Sequence, residues 1–223
     1  MDRYLNVALT GNRFSGKDSV GILFKKIGVP VFDADSILKF LLNYDLDVSK
    51  NVEKCFGKSY LMYDYINPIA FDTDEKMSRL LNIVDYKLFE AYSKFREKYR
   101  QYSQYTEFNC SVVFEKRWHE RFDYVINVSS SVEDRKYRYQ MKMGEMNDYV
   151  FKNEIPDTNK NHKADYIIHN FQGGPDVNKR VIKIDSDLSE IYYMRKEEII
   201  QKRNQRSNEF IVGDSIDIRQ LTT

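Results

Sequence analysis

Apolar residues first cluster at positions 4–10 (YLNVALT), a short run that stops at Gly11 and predicts a buried strand leading into a loop. Val20, Leu23, Phe24 and Ile27 then recur at helical spacing over residues 17–28, with Gly28 placed to end the helix. Residues 29–33 (VPVFD) predict a second short strand, with Pro30 near its start, where a missing N–H is tolerated. A strand, a Gly-containing loop, a helix and a strand in this order make a βαβ unit, which requires a parallel sheet.

From residue 36 to about 105 the period becomes helical. Ile37, Leu38, Leu41 and Leu42 form one apolar stripe; Met77, Leu80, Leu81, Val84, Leu88 and Phe89 form a longer one. No strand pattern interrupts them, so residues 36–105 are expected to be an α-helical insertion. β-rich runs return at 108–114 (FNCSVVF) and 123–129 (DYVINVS), joined by a polar segment holding Trp118. Ser131 followed by Asp134 is a helix start of the capping-box type, with Asp in place of Glu or Gln. Residues 165–169 (DYIIH) predict another strand, 170–176 a turn, 181–184 (VIKI) one further strand, and 189–206 a charged helix or tail. The expected class is α/β: three α/β/α layers around a parallel sheet of about five strands. Residues 1–35 and 106–185 would build the core, 36–105 the insertion and 186–223 the C-terminal helix or tail.

The 223 residues carry a formal net charge of +1, which argues against bulk adhesion to nucleic acid or acidic membranes. No apolar run approaches the ~18 residues that cross a bilayer, and the opening MDRYLNVALTG lacks the features of a secretory signal. Cys55 and Cys110 are therefore expected to be free, partly buried thiols in a reducing, cytoplasmic setting. His119, His162 and His169 are scattered, and no Cys/His group has zinc spacing. Among 17 tyrosines, Tyr92, Tyr99, Tyr102 and Tyr105 recur through the helical stretch, where they fit helix packing or a base-stacking surface.

The sharpest chemical signal is GNRFSGKDS, residues 11–19, between the first strand and the first helix. That is the context of a phosphate-binding loop. Gly11 and Gly16 let the backbone curl. The N–H groups of Gly11, Asn12, Arg13, Phe14, Ser15, Gly16, Lys17, Asp18 and Ser19 can then face phosphate oxygens, helped by the helix dipole. Lys17 supplies a charge for the outer phosphates, while Asp18 stands where Ser or Thr is usual, with Ser19 next. VFDAD, residues 31–35, puts Asp33 and Asp35 at the carboxyl end of the second strand, the edge that faces the ligand crevice of an open α/β sheet. An aspartate there can take a proton from a hydroxyl, hold magnesium, or cap the next helix. We read Asp35 as functional and Asp33 as supporting.

Together, VALTGNRFSGKDSV and FKKIGVPVFDADSIL resemble the opening of dephospho-CoA kinases, with their L-T-G-G-x-G-S-G-K-S-T loop and D-A-D. SVVFE (111–115) resembles the family's P-L-L-F-E, with Glu115 in place and Ser111 for Pro. FDYVINVSSSVEDR (122–135) and ADYIIHNFQGGPD (164–176) resemble its next two strand segments, so the likeness runs from residue 4 to about 176. The resemblance implies a P-loop kinase that binds ATP and Mg2+ and phosphorylates a small nucleotide-like acceptor. It implies Lys17 on the phosphates and Asp35 as base, with Asp18, Ser19 and Asp35 toward the metal. It also implies a lid at 133–160 whose cations, Arg135, Arg138 and Lys142, reach the phosphates. Arg138 then joins Lys17 and Asp35 as a catalytic group, and Arg135 joins the nucleotide-binding set.

The departures lie mostly on the acceptor side. Asp85-Tyr86 replaces the family's His-Pro, and its basic positions fall on the uncharged Tyr65, Ile66, Asn67 and Pro68. An acceptor phosphate would then lose cations unless Lys58, Arg79 or Lys87 compensates, so weak turnover of dephospho-CoA, or none, and a different acceptor are expected, with ATP binding retained. A Gly-Lys-Asp-Ser loop also resembles phage deoxynucleotide kinases. A deoxynucleoside monophosphate kinase, or a nucleotide-binding module without catalysis, therefore stays open. The Lys/Asn/Tyr-rich composition hints at a viral or AT-rich source.

Overall fold

The computed structural model describes residues 4–57, 61–62, 65–66, 74–151 and 154–213. Strand β1 (Leu5–Gly11) leads through the loop into helix α1 (Lys17–Lys26), then strand β2 (Val31–Asp33). Helices α2 (Ala34–Tyr44) and α3 (Leu46–Phe56), a hairpin of β3 (Leu61–Met62) and β4 (Tyr65–Ile66), and helix α4 (Asp74–Tyr99) follow. Strands β5 (Tyr105–Asn109) and β6 (Tyr124–Ser129), helices α5 (Val132–Met143) and α6 (Asp157–Lys163), strand β7 (Tyr166–His169) and helix α7 (Val177–Gly213) complete the chain.

The main sheet has five strands in the order β2-β5-β1-β6-β7, and every pairing is parallel. Side chains alternate along β1. Leu5, Val7 and Leu9 enter a core with Val20 and Phe24 of α1 and Val181, Ile184 and Leu188 of α7. Ala8 enters the opposite core, with Phe32, Phe108, Leu38, Val84, Leu88 and Trp118. Helices thus cover both faces, as a parallel sheet requires. Phe108 lies at the centre of the second core, stacked on Phe32 and Phe89 with centroids 5.7 and 5.4 Å apart.

The α/β/α expectation holds, with four local differences. The insertion is helical except for the short β3–β4 hairpin, whose two-residue strands are below any detectable period. The run at 108–114 is not a strand throughout: β5 ends at Asn109 and the chain turns, with Lys116 N–H donating to the Val112 carbonyl. Val113 and Phe114 are buried in that turn, which is why they imitate a strand. Residues 181–184 are helical, because Val181, Ile184 and Leu188 share one buried face of α7. Cys110 is buried but Cys55 is exposed, and neither is bridged.

Tyr92 and Tyr105 serve packing. Both are buried, and their hydroxyls meet Asn6 and Thr106, and Asp185, respectively. Ser131 caps α5 by accepting from the Asp134 N–H at 3.0 Å, while its hydroxyl donates to the Asp134 carboxylate. Among the described residues no helix is long and apolar enough to cross a membrane.

Candidate active site

The carboxyl ends of β1, β2, β5, β6 and β7 share one edge, and the predicted chemistry gathers there. Gly11 ends β1 beside Val128 of β6, where an added Cβ would lie 2.6 Å from the Val128 carbonyl oxygen. Gly16 has φ +92°, and a Cβ there would lie 2.1 Å from the Asn170 side-chain nitrogen. That nitrogen donates to the Ser15 carbonyl at 2.7 Å, so Asn170 locks the loop from the β7 side. Phe14, where the family pattern has glycine, also adopts positive φ, +63°. Its ring packs edge-on against Tyr139 at 5.1 Å and near Phe151 at 6.2 Å.

Gly16 starts α1 without any side-chain cap, leaving helix N–H groups for an anion. The side-chain oxygens of Ser15 (Oγ) and Asn12 (Oδ1) are buried without a protein partner, as suits a cradle for a polar ligand. Ser19 is exposed on the first turn of α1. Lys17 is buried, and its Nζ donates to Asn109 Oδ1 at 2.6 Å, Asp18 Oδ1 at 2.7 Å and Asp35 Oδ2 at 2.9 Å. Burial works against its charge, but Asp35 and Asp18 outweigh it and hold the ammonium above its ordinary pKa. Asp18 feels the same contest: loss of solvation beside the protein raises its pKa, and Lys17, with smaller help from Asn109 and Lys142, brings it below the ordinary value.

Asp35 also accepts from the Ser111 N–H (3.2 Å), the Ser111 hydroxyl (3.1 Å) and the Cys110 thiol (3.4 Å). A proline at 111 would supply neither of the Ser111 donors. Asp33 takes the capping role instead, accepting from the Ser36 N–H at 3.0 Å. Asn170 entered the sequence reading only as part of the ADYIIHN segment, with no role given, and Asn109 was not singled out; its signal was a polar residue closing an apolar run.

The lid arginines bond the loop backbone. Arg138 donates to the Phe14, Ser15 and Asn170 carbonyls and to Ser130 Oγ. Arg135 is buried, donates to the Arg13 carbonyl and pairs with Glu154, whose other oxygen accepts the Arg13 N–H. Both guanidiniums thus brace the loop through its backbone, and Lys142 is the α5 cation near Asp18.

On the acceptor side, Asp85 pairs with Arg121 at 3.2 Å. Lys87 is engaged by Asp45 at 2.6 Å and Asp47 at 3.1 Å, and Arg79 lies over the Phe56 ring at 4.9 Å. The two aspartates take up the charge of Lys87, whereas the exposed Arg79 keeps its own. Lys58, Asn67 and Pro68 lie outside the described residues, as do Lys152 and the tail beyond 213. Glu115 pairs with buried Lys160 at 2.6 Å.

The family model for dephospho-CoA kinase matches residues 5–176, most of the chain and every element of this edge. The chain belongs to the dephospho-CoA kinase family. Among curated relatives, dephospho-CoA kinase of Aquifex aeolicus is 26% identical over 191 residues, covering 82% of this chain and 97% of the relative. Dephospho-CoA kinase of Bartonella quintana is 26% identical over 193 residues, covering 82% and 97%. A crystal structure from Thermus thermophilus superposes with a TM-score of 0.67 at 21% identity over 85% of this chain and 98% of that one, a likeness of fold. The dephospho-CoA kinase membership covers both the nucleotide loop and the 36–105 insertion.

Proposed function

We propose that this chain is an ATP-dependent kinase that transfers the γ-phosphoryl group to a hydroxyl of dephospho-CoA. One observation carries the reading: the Lys17 ammonium stands at the uncapped start of α1 and reaches Asp35 at 2.9 Å. A phosphate cradle and a carboxylate base are then one side chain apart. Phosphoryl transfer to a hydroxyl needs that positioning more than it needs covalent chemistry.

In this scheme the N–H groups of residues 11–19 and the α1 dipole receive the phosphates, and Lys17 neutralises charge on the transferred group. Asp35 accepts the proton of the attacking hydroxyl on its carboxylate. The bonds from Ser111 fix that carboxylate's direction. Arg135 and Arg138 are positioning residues that hold the loop, and Lys142, whose charge acts on Asp18, is the lid cation assigned to the phosphates. Closure of residues 133–160 excludes water. Asp18, Ser19 and Asp35 offer hard oxygen donors that fit magnesium, which binds through one or two carboxylates together with phosphates. When bound, the ion neutralises phosphate charge.

The acceptor is a small nucleotide-like molecule held by the 36–105 insertion. Asp85 in place of histidine, neutralised by Arg121, leaves less free positive charge there. We expect a raised KM for dephospho-CoA rather than a lost kcat. The test is mass spectrometry of the products from ATP and dephospho-CoA. Coenzyme A and ADP in equal amounts support the reading; ADP released without a phosphorylated acceptor overturns it.

A further inference from the structure

P-loop phosphotransferases commonly hold the nucleotide's magnesium between a loop hydroxyl and an aspartate at the end of a neighbouring strand. In this chain both positions differ. The loop position carries a carboxylate, Asp18. The strand position is Asn109, the last residue of β5, opposite Leu9 of β1 and Asp33 of β2 in register. Asn109 is 5% exposed, and its side chain reaches both members of the loop pair: its Oδ1 accepts from Lys17 at 2.6 Å, and its amide bonds Asp18.

We propose that Asp18 and Asn109 are an exchanged pair: the carboxylate that serves the magnesium has moved from the strand to the loop, and the neutral partner has moved from the loop to the strand. The inference rests on the kinase reading above. Two observations support it. First, the charge around Lys17 is conserved by the exchange, since one ammonium still faces two carboxylates, Asp18 and Asp35. An aspartate at 109 beside Asp18 would add a third carboxylate to one ammonium, an uncompensated charge in a buried place. Second, the two side chains differ in access as the roles demand. The Asp18 side chain is 83% exposed at the cleft mouth, where a hydrated ion on a nucleotide can reach it. The buried Asn109 meets Lys17 and Asp18 through its side-chain polar atoms, which makes it a positioning residue.

The test is a double-mutant cycle read on nucleotide and metal alone, with no acceptor present. The unaltered protein, Asp18→Ser, Asn109→Asp and the double variant are compared, with Asp18→Asn as an isosteric second variant. ATP affinity is measured by calorimetry with and without Mg2+, and Mn2+ held in the ATP complex is counted by electron paramagnetic resonance. The unaltered protein should bind ATP more tightly with Mg2+. Asp18→Ser and Asp18→Asn should each lose about 10-fold or more of that gain, the scale of one charge-assisted contact. Asn109→Asp alone should weaken ATP binding without raising the Mg2+ gain. The double variant should recover the gain to within about threefold of the unaltered protein, beyond what independent sites allow. A double variant no better than Asp18→Ser overturns the exchange, as does an intact Mg2+ gain in Asp18→Asn. That exposed position decides the case should a variant at 109 not fold. Absence of ATP binding by the unaltered protein is a different failure and removes the kinase reading itself.

Discussion

Lys17 and Asp35 touch each other, yet their replacements should separate. Lys17→Ala removes charge shared by bound ATP and the transition state, so both ATP affinity and turnover should fall, by several kcal/mol of barrier in total. Asp35→Asn keeps the shape, should leave ATP affinity measured without Mg2+ close to normal, and should cut turnover at least ~100-fold, the usual worth of a positioned base. Calorimetry beside a coupled ADP assay distinguishes them, and normal turnover in Asp35→Asn would remove Asp35 from its role. Glu107 presents a different residue-scale problem. It lies fully buried on β5 with both carboxylate oxygens unpartnered, and burial, partly offset by Lys17 and Lys25, pushes its pKa up to about 8. The folded chain therefore keeps a proton that the unfolded chain releases from about pH 4.5 upward. Stability from this group is full below about pH 4.5 and declines until about pH 8. Glu107→Gln should flatten that decline and raise Tm at pH 8 by several degrees, at about 2–4 °C per kcal/mol for a chain of this size. Thermal melts across pH 5–8 check it; an equally steep decline in the variant would contradict it.

Among the elements, α5 and the loop act as one unit. Arg138 spans the Phe14, Ser15 and Asn170 carbonyls, so it ties the loop to the ends of both β6 and β7. Arg138→Ala should lower Tm and weaken ATP binding, at about 1.5–3 kcal/mol for a lost charge-assisted bond. Arg138→Lys should rescue only part, because a point charge cannot span carbonyls that a planar fork reaches together. Full rescue by lysine, read in ATP affinity, would show that charge alone matters. The sequence revealed α5 as a basic, capped helix, but not which way its arginines point. Residues that brace a backbone and residues that meet phosphate have the same composition, and only the fold separates them. Similarly, VIKI at 181–184 is too short to tell strand from helix, whereas the longer stripe from Met77 to Phe89 read correctly as helix. Asp33 and Asp35 show the same limit: two carboxylates at one strand end, one capping α2 and one facing Lys17.

At the scale of the whole molecule, the βαβ opening and the later return of short apolar runs made the parallel sheet legible in the sequence. The meeting of the loop and Asp35 at one edge was legible for the same reason, since loop and D-A-D are local motifs at strand ends. The acceptor side was not, because it depends on where α4 brings Asp85 and Lys87 in space, and both proved to be paired within the protein. The central claim is therefore the identity of the acceptor. It is tested most directly by measuring kcat/KM with ATP for dephospho-CoA and for each of the four deoxynucleoside monophosphates, side by side. The account predicts that dephospho-CoA gives the highest value, with a raised KM. A deoxynucleoside monophosphate turned over more efficiently than dephospho-CoA would contradict it.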